Sequence, residues 1–315
     1  MKEQRDDVSM MDKMELIANL YYVSKLSQKE IAQKLNISRP WVSKLLNRAE
    51  EMGIVKIEVN SSVIGNEVLE TAIREIYGIS KVSVIRETNG AARDKIIAKA
   101  AAHYFISKAR PDDVIGIGWG KSVAAVINQI IPLSLPRTRI VPLAGSFGSQ
   151  LDYLPNSGVA QLAEKIGGKA TFIHSPAFCH SQAEYKAILS NPQTNEVVSA
   201  GNHADIHIIG MGGISNTMLI NDGILENEEI VSLQNAGAVG DVALQFLDEE
   251  GNKVEEKSCQ CIVKSDIFEM KKHAREILGV AFGVHKIKII KAVLKNNLLT
   301  AFFTDEQTAQ QLLQH

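Results

Sequence analysis

The chain has 315 residues, 45% of them hydrophobic, which exceeds the usual length of one domain and is enough to bury two cores, so two modules are expected. Its 34 basic and 36 acidic residues leave a formal charge of −2, which excludes a global bias toward nucleic acid or membrane and shifts attention to local charge. Three cysteines, Cys179, Cys259 and Cys261, form no even-numbered framework, the N-terminus MKEQRDDVSM lacks a signal-peptide core, and no stretch has the apolar length of a membrane span; the expectation is a soluble, cytoplasmic protein with free thiols.

In chain order, Met14, Ile17, Leu20 and Tyr21 recur at helical spacing and predict a helix over 10–24. Ser27 and Glu30 make a capping box, and Ile31 and Leu35 face inward through QKEIAQKL, so a second, shorter helix follows. Asn36-Ile37 break it, and Ser38 caps a third helix, RPWVSKLLNRAEEM, ended by Gly53. Pro40 is accepted there because N–H groups in the first turn have no intrahelical partner. Val42, Leu45, Leu46 and Ala49 form its core stripe, which leaves Pro40, Ser43, Lys44 and Asn47 outward, flanked by Arg39, Trp41 and Arg48.

Two short helices joined by a tight turn, the second opening on Ser38-Arg39, have the layout of a helix-turn-helix whose second helix enters the major groove. From Lys25 to Arg48 six cations face the single carboxylate of Glu30, a net +5 within a nearly neutral chain. The strand IVKIEVN that follows is read as a wing. A small dimerising helical bundle is the alternative, but it calls for an apolar exposed face, whereas this one carries donors suited to phosphates and base edges. The DNA-contacting set is therefore read as Ser38, Arg39, Pro40, Trp41, Ser43, Lys44, Asn47 and Arg48, with Trp41 packing on the wing or against a DNA sugar.

After the polar junction NSSVIGN, near Asn60, the pattern changes to apolar strands alternating with amphipathic helices. Strands are predicted at KVSVI from Lys81, DVIGIGW from Asp113, RIVPLAG from Arg139, ATFIH from Ala170, ADIHIIGMG from Ala204, EILGVAF from Glu276 and LLTAFFT from Leu298. Continuous apolar strands imply a mostly parallel α/β sheet covered on both faces, with ligands beyond the carboxyl ends of the strands. The domains are read as 1–60 for DNA binding and 61–315 for effector binding and oligomerisation.

Glycines crowd four strand ends. In GIGWGKSV, Gly118 and Gly120 permit close backbone approach, and a helix starting near Lys121 and Ser122 aims unpaired N–H groups at an anion such as phosphate. The spacing misses both the Walker A and the dinucleotide patterns, so by itself the loop reads equally as a plain strand-to-helix turn. GVAFGVHK repeats the arrangement with Lys286 in the first turn, so two helix starts and two lysines converge on one anion; a solvated helix face is the other reading of Lys286. In NAGAVGDVALQFLDEEGN, Asp241 is framed by Gly237 and Gly240, where it accepts from sugar hydroxyls or caps a helix.

His203 and His207 flank a strand, where a four-residue separation does not give one helical face, and Cys179-His180 has no further ligand spacing, so no metal site and no cofactor are expected. Asp241 with Lys286 is the one acid–base pair available, no nucleophile arrangement is recognisable, and no catalytic residue is assigned.

Taken together, LSQKEIAQKLNISRPWVSKLL, GIGWGKS, VPLAGSFGS, GAVGDVALQFLDEEGN and GVAFGVHKIKIIKAVLKNNLLTAFFTDEQTAQQLL, in this order, resemble the SorC family of bacterial transcription regulators nearly end to end. The resemblance implies a winged helix-turn-helix head and a larger Rossmann-like effector domain related to sugar-phosphate isomerases. It implies that the segment from Gly118 to Ser122 and Lys286 hold the effector's phosphate, that Asp241 contacts the effector, and that Gly145 of LAGS belongs to the same site. It also implies dimers or tetramers on operator DNA, controlled by a phosphosugar. The chain departs from the family pattern at Phe282, which replaces a glycine and places a ring near the expected pocket, and at Ser146. Ala144 stands where some deoxyribose-phosphate sensors carry a Schiff-base lysine, so that adduct is excluded by residue type. The expected function is a DNA-binding regulator of a carbohydrate operon; the alternatives are a sugar-phosphate isomerase-like enzyme with a DNA-binding head and a ligand-blind regulator.

Overall fold

The computed structural model describes residues 2–24, 26–55, 65–86, 90–147, 154–216, 219, 224–254, 256 and 261–314. The chain divides into two compact units, Met1–Val63 and Ile64–His315.

The first unit is helical: α1 (Lys2–Ala18), a π turn (Asn19–Val23), α2 (Gln28–Leu35) and α3 (Arg39–Glu51). α1 starts eight residues before the predicted position, because the apolar period that marks it begins only at Met10, while the Lys2, Glu3, Gln4 and Arg5 that open it are good helix formers. The capping box of Ser27 and Glu30 is formed in both directions, and Asn36 breaks α2 with a left-handed φ of 52°. Ser38 then accepts the N–H of Trp41 at 3.3 Å. Met14 and Ile17 of α1, Ile31 of α2, and Val42, Leu45, Leu46 and Ala49 of α3 make one buried cluster. The predicted wing falls largely on 56–64, outside the described residues.

The second unit runs α4 (Glu67–Tyr77), β1 (Lys81–Ile85), α5 (Gly90–Lys108), β2 (Val114–Ile117), α6 (Lys121–Gln129), β3 (Arg139–Pro142), α7 (Pro155–Ile166), β4 (Lys169–Ala170), α8 (Gln182–Ser190), α9 (Pro192–Asn202) and β5 (Ile206–Gly213). It continues with α10 (Asn227–Asn235), β6 (Gly240–Val242), β7 (Gln245–Leu247), α11 (Ile267–His273), β8 (Glu276–Val280), α12 (Ile287–Lys295), β9 (Ala301–Asp305) and α13 (Glu306–Leu313). Strands in the order β1-β9-β8-β5-β2-β3-β4 pair in parallel throughout. Successive strand residues enter opposite cores: Ile208 and Phe303 join one buried cluster, Ile209 and Phe302 the other. From β2 the chain goes outward to β3 and β4, then returns to place β5 and β8 on the other side of β2. The crevice between the carboxyl ends of β2 and β5 is thus a topological switch point, where such sheets bind ligands.

Two strand predictions change. ATFIH contributes only Ala170, because Thr138 and Ile140 accept from Lys169 and Thr171, and the next rung of that ladder needs an N–H from Pro142, which has none. Around Asp241 the chain is an antiparallel hairpin rather than a glycine-rich loop: β6 pairs with the end of β5, matching Asp241 to Gly212, and β7 returns along β6. Its turn residues Ala243 and Leu244 both have positive φ, 50° and 62°, as a two-residue hairpin turn demands. Neither is glycine or asparagine, so the sequence gives no turn signal there.

Candidate functional site

In the helical unit, Ser38, Arg39, Pro40, Trp41, Lys44, Asn47 and Arg48 are exposed and Ser43 half-buried, all on or at the start of α3 and away from its buried stripe. Arg39 and Pro40 open the helix and Ser38 precedes it. The Lys44 ammonium lies 5.4 Å from the centre of the Trp41 ring, a cation–π contact that holds both side chains on the exposed face. This face has the helix start, the donors and the positive charge that a recognition helix presents to DNA. We predict that Arg39→Ala lowers operator affinity about tenfold and the salt dependence by about one ion, with effector affinity unchanged. Fluorescence anisotropy on operator DNA at several salt concentrations reads both; an unchanged operator affinity refutes the placement.

In the α/β unit, a cavity of about 410 Å³ opens at the switch point, within the range that holds a small ligand. Gly120, Lys121 and Ser122 bound it on one side, Gly210, Met211 and Gly212 at the end of β5, Asp241 from β6, and Phe282, Gly283, His285 and Lys286 beyond β8. Trp119, Arg93 and Asp94 complete the lining. The two glycine turns match in conformation: Gly120 before α6 and Gly283 before the short turn leading to α12 both have φ 103°, a region that a side chain rarely enters. α6 has no side-chain cap, so its start turns backbone N–H groups and the positive end of the helix dipole toward the cavity, which favours an anion.

The Lys286 side chain makes no hydrogen bond or ion pair with any described residue, while its backbone N–H donates to Gly283 O at 3.0 Å. Burial holds its ammonium below the ordinary lysine range, against the attraction of Asp241 and Asp94. Asp241 is 4% exposed. Burial pushes its carboxyl up to about 6, opposed by the N–H of Leu244 and the charge of Lys286; that N–H donates to Oδ2 at 3.2 Å. A Cβ on Gly212 would stand 2.5 Å from Asp241 Oδ1, so the glycine leaves the space that the carboxyl fills.

Of the predicted effector residues, Gly120, Lys121, Ser122, Asp241 and Lys286 meet at this cavity. Gly118 and Gly145 do not line it. Gly118 donates to Ile208 O in the sheet at 2.9 Å, and Gly145 donates to Val263 O at 2.9 Å while its α-carbon abuts the Pro176 carbonyl; both are needed for packing beside the site. Sequence reasoning missed Arg93 and Asp94, which lie in the first turns of α5 and carry no local signal. The Arg93 guanidinium reaches Asp94 and the buried Asp305, each at 2.9 Å, and lies 5.0 Å from the centre of the Phe282 ring. Phe282 does not fill the cavity. With Asp94, Lys121 and Ser122 it lines both this cavity and a chamber of about 80 Å³ bounded also by Ala98, Ala125 and Val280.

Comparison with known proteins agrees with this division. Residues 61–314 match the family described as "Putative sugar-binding domain", and residues 24–56 match a winged helix-turn-helix DNA-binding family. The transcriptional regulator LsrR of Enterobacter sp. (strain 638) is 26% identical over 307 residues, 95% of this chain and 93% of that protein. The sorbitol operon regulator of Klebsiella pneumoniae is 26% identical over 322 residues, 99% of each. The crystal structure of full-length SorC from Klebsiella pneumoniae superposes with a TM-score of 0.79 over 98% of this chain and 99% of that one, at 24% identity. With a helix-turn-helix head joined to a sugar-binding α/β domain over nearly its whole length, the chain belongs to the SorC family of DNA-binding transcriptional regulators.

Proposed function

We infer that the protein regulates a carbohydrate operon by binding a phosphorylated sugar in the 410 Å³ cavity and transmitting its occupancy to the operator-binding head, residues 1–60 reading DNA and residues 61–315 forming the sensor and the oligomer. The observation that carries this reading is Lys286, a largely desolvated cation without an ion-pair partner among the described residues, set in one cavity with the uncapped start of α6. A cation so placed is matched by a ligand anion, and a dianionic phosphate satisfies both the ammonium and the helix N–H groups. Asp241 and Asp94 supply acceptors for sugar hydroxyls. Regulation then requires that the ligand bind the DNA-competent and incompetent arrangements unequally, and the coupling is reciprocal.

Thermal stabilisation tests the reading, using hexose and pentose phosphates, each paired with its unphosphorylated sugar and with inorganic phosphate. At a hundredfold excess over Kd the matching phosphosugar raises Tm by about 5 °C, and its plain sugar does not. No response to any phosphosugar favours a ligand-blind regulator. Aldose–ketose conversion that disappears in Asp241→Asn favours an enzyme, which the Asp241–Lys286 pair makes worth assaying.

A further inference from the structure

Away from the cavity, three segments distant in sequence interleave beside the sheet. Gly145 donates to Val263 O and Ser265 to Leu143 O, while Ser146 donates to Ser175 O and accepts from Ala177. The two outer segments also meet directly, Val263 donating to Ala177 O at 2.7 Å and Cys179 to Cys261 O at 2.9 Å. Phe178 and Ile262 form an antiparallel bridge between them, and that register sets Cys179 opposite Cys261. Opposed residues of an antiparallel pair point to the same face, and where an N–H···O bond joins them their α-carbons lie about 5.5 Å apart. A disulfide spans roughly 4.4–6.8 Å between α-carbons. Both cysteines are free thiols, Cys179 half-buried and Cys261 buried; Cys261 lies close enough to raise the Cys179 thiol, and both raise the Tyr185 phenol.

We propose that Cys179 and Cys261 are a reversible redox pair that closes an intramolecular disulfide when a peroxide oxidises the protein. The more exposed Cys179 reacts first: its thiolate attacks one peroxide oxygen, the O–O bond breaks, and a sulfenic acid forms with release of hydroxide. The Cys261 thiol then attacks the sulfenic sulfur, forming the S–S bond and expelling the second hydroxide. With the two thiol protons, the hydroxides leave as two waters, so two thiols are oxidised and one peroxide is reduced. Burial, with the nearby Glu184 carboxylate and Cys261, raises the Cys179 thiol above its ordinary range, so oxidation is slow at neutral pH and quickens as the pH rises.

The bridge staples segments 175–179 and 261–263 around the loop at 143–147. Phe178 meets Phe147 at 6.0 Å between ring centres and Phe147 meets Trp119 at 5.1 Å, so the staple stiffens the packing behind a wall of the cavity.

The test uses the full-length chain, reduced and then exposed to hydrogen peroxide between pH 7 and 8.5, capped with N-ethylmaleimide and mapped as non-reduced peptides. The expected result is a loss of about 2 Da and a cross-linked pair of peptides bearing Cys179 and Cys261 within one chain. Dithiothreitol reverses both, and the oxidised form melts about 5 °C higher than the reduced one. Cys259→Ser keeps the cross-link and Cys261→Ser abolishes it. A bridge through Cys259, a disulfide between two copies of the chain, or sulfinic acid at Cys179 without a bridge overturns the proposal. The peptide map is read on the unaltered chain and stands whether or not the variants fold.

Discussion

Lys286→Met is expected to lower affinity for the phosphorylated effector by about 10- to 100-fold, the range of one charge-assisted hydrogen bond to phosphate, while leaving affinity for the corresponding unphosphorylated sugar nearly unchanged. The methionine keeps the apolar stem that packs behind the cavity and removes only the ammonium. Because burial depresses the lysine's folded-state pKa, its charge costs stability at every pH below that value. Without its ligand, the variant therefore melts no lower than the parent at pH 7.5. Isothermal titration against the phosphosugar and the plain sugar, with a melting curve of the empty protein, reads all three quantities. Equal losses for the two ligands refute the phosphate role. A lower Tm in the empty variant shows instead that Lys286 is a structural cation.

Asp241→Asn is expected to stabilise the empty protein at neutral pH and to weaken its ligand. Burial pushes the carboxyl up to about 6 in the folded chain, from an ordinary value of 3.8, so between these values the folded state holds more protons than the unfolded one. The stability this group contributes is complete below pH 4 and is lost as pH rises through 6, a total of about 3 kcal/mol. Asparagine fills the same space beside Gly212 and still accepts from Leu244, but it never ionises. The Tm difference between variant and parent is therefore small at pH 4.5 and grows to several degrees by pH 7.5. A difference that stays flat, or shrinks as pH rises, refutes the buried-carboxylate account. Ligand affinity falls about tenfold from the loss of a charged acceptor, so stability and binding move in opposite directions at this one position.

The helical head was legible almost residue by residue. Its features are local: the Ser27–Glu30 box, the Ser38 cap, Pro40 in a first turn and the Val42, Leu45, Leu46, Ala49 stripe depend only on neighbours within one or two turns. The parallel strands were legible as apolar runs for the same reason. The hairpin at Asp241 was not, because its turn is made by Ala243 and Leu244, whose left-handed conformations are imposed by burial and by pairing with the end of β5.

The sequence alone determined that the chain has a basic helix-turn-helix head and a parallel α/β domain with glycine turns before Lys121 and Lys286, since capping, periodicity and turn chemistry are written in neighbouring residues. Only the tertiary structure decided which of those residues face one cavity. Strand order brings β2, β5 and β8 side by side, which joins Ser122, Asp241 and Lys286, adds Arg93 and Asp94 from the start of α5, and turns Gly118 and Gly145 into packing positions. No local pattern carries that outcome, because it depends on strand pairings between residues 91 apart for β2 with β5 and 70 apart for β5 with β8.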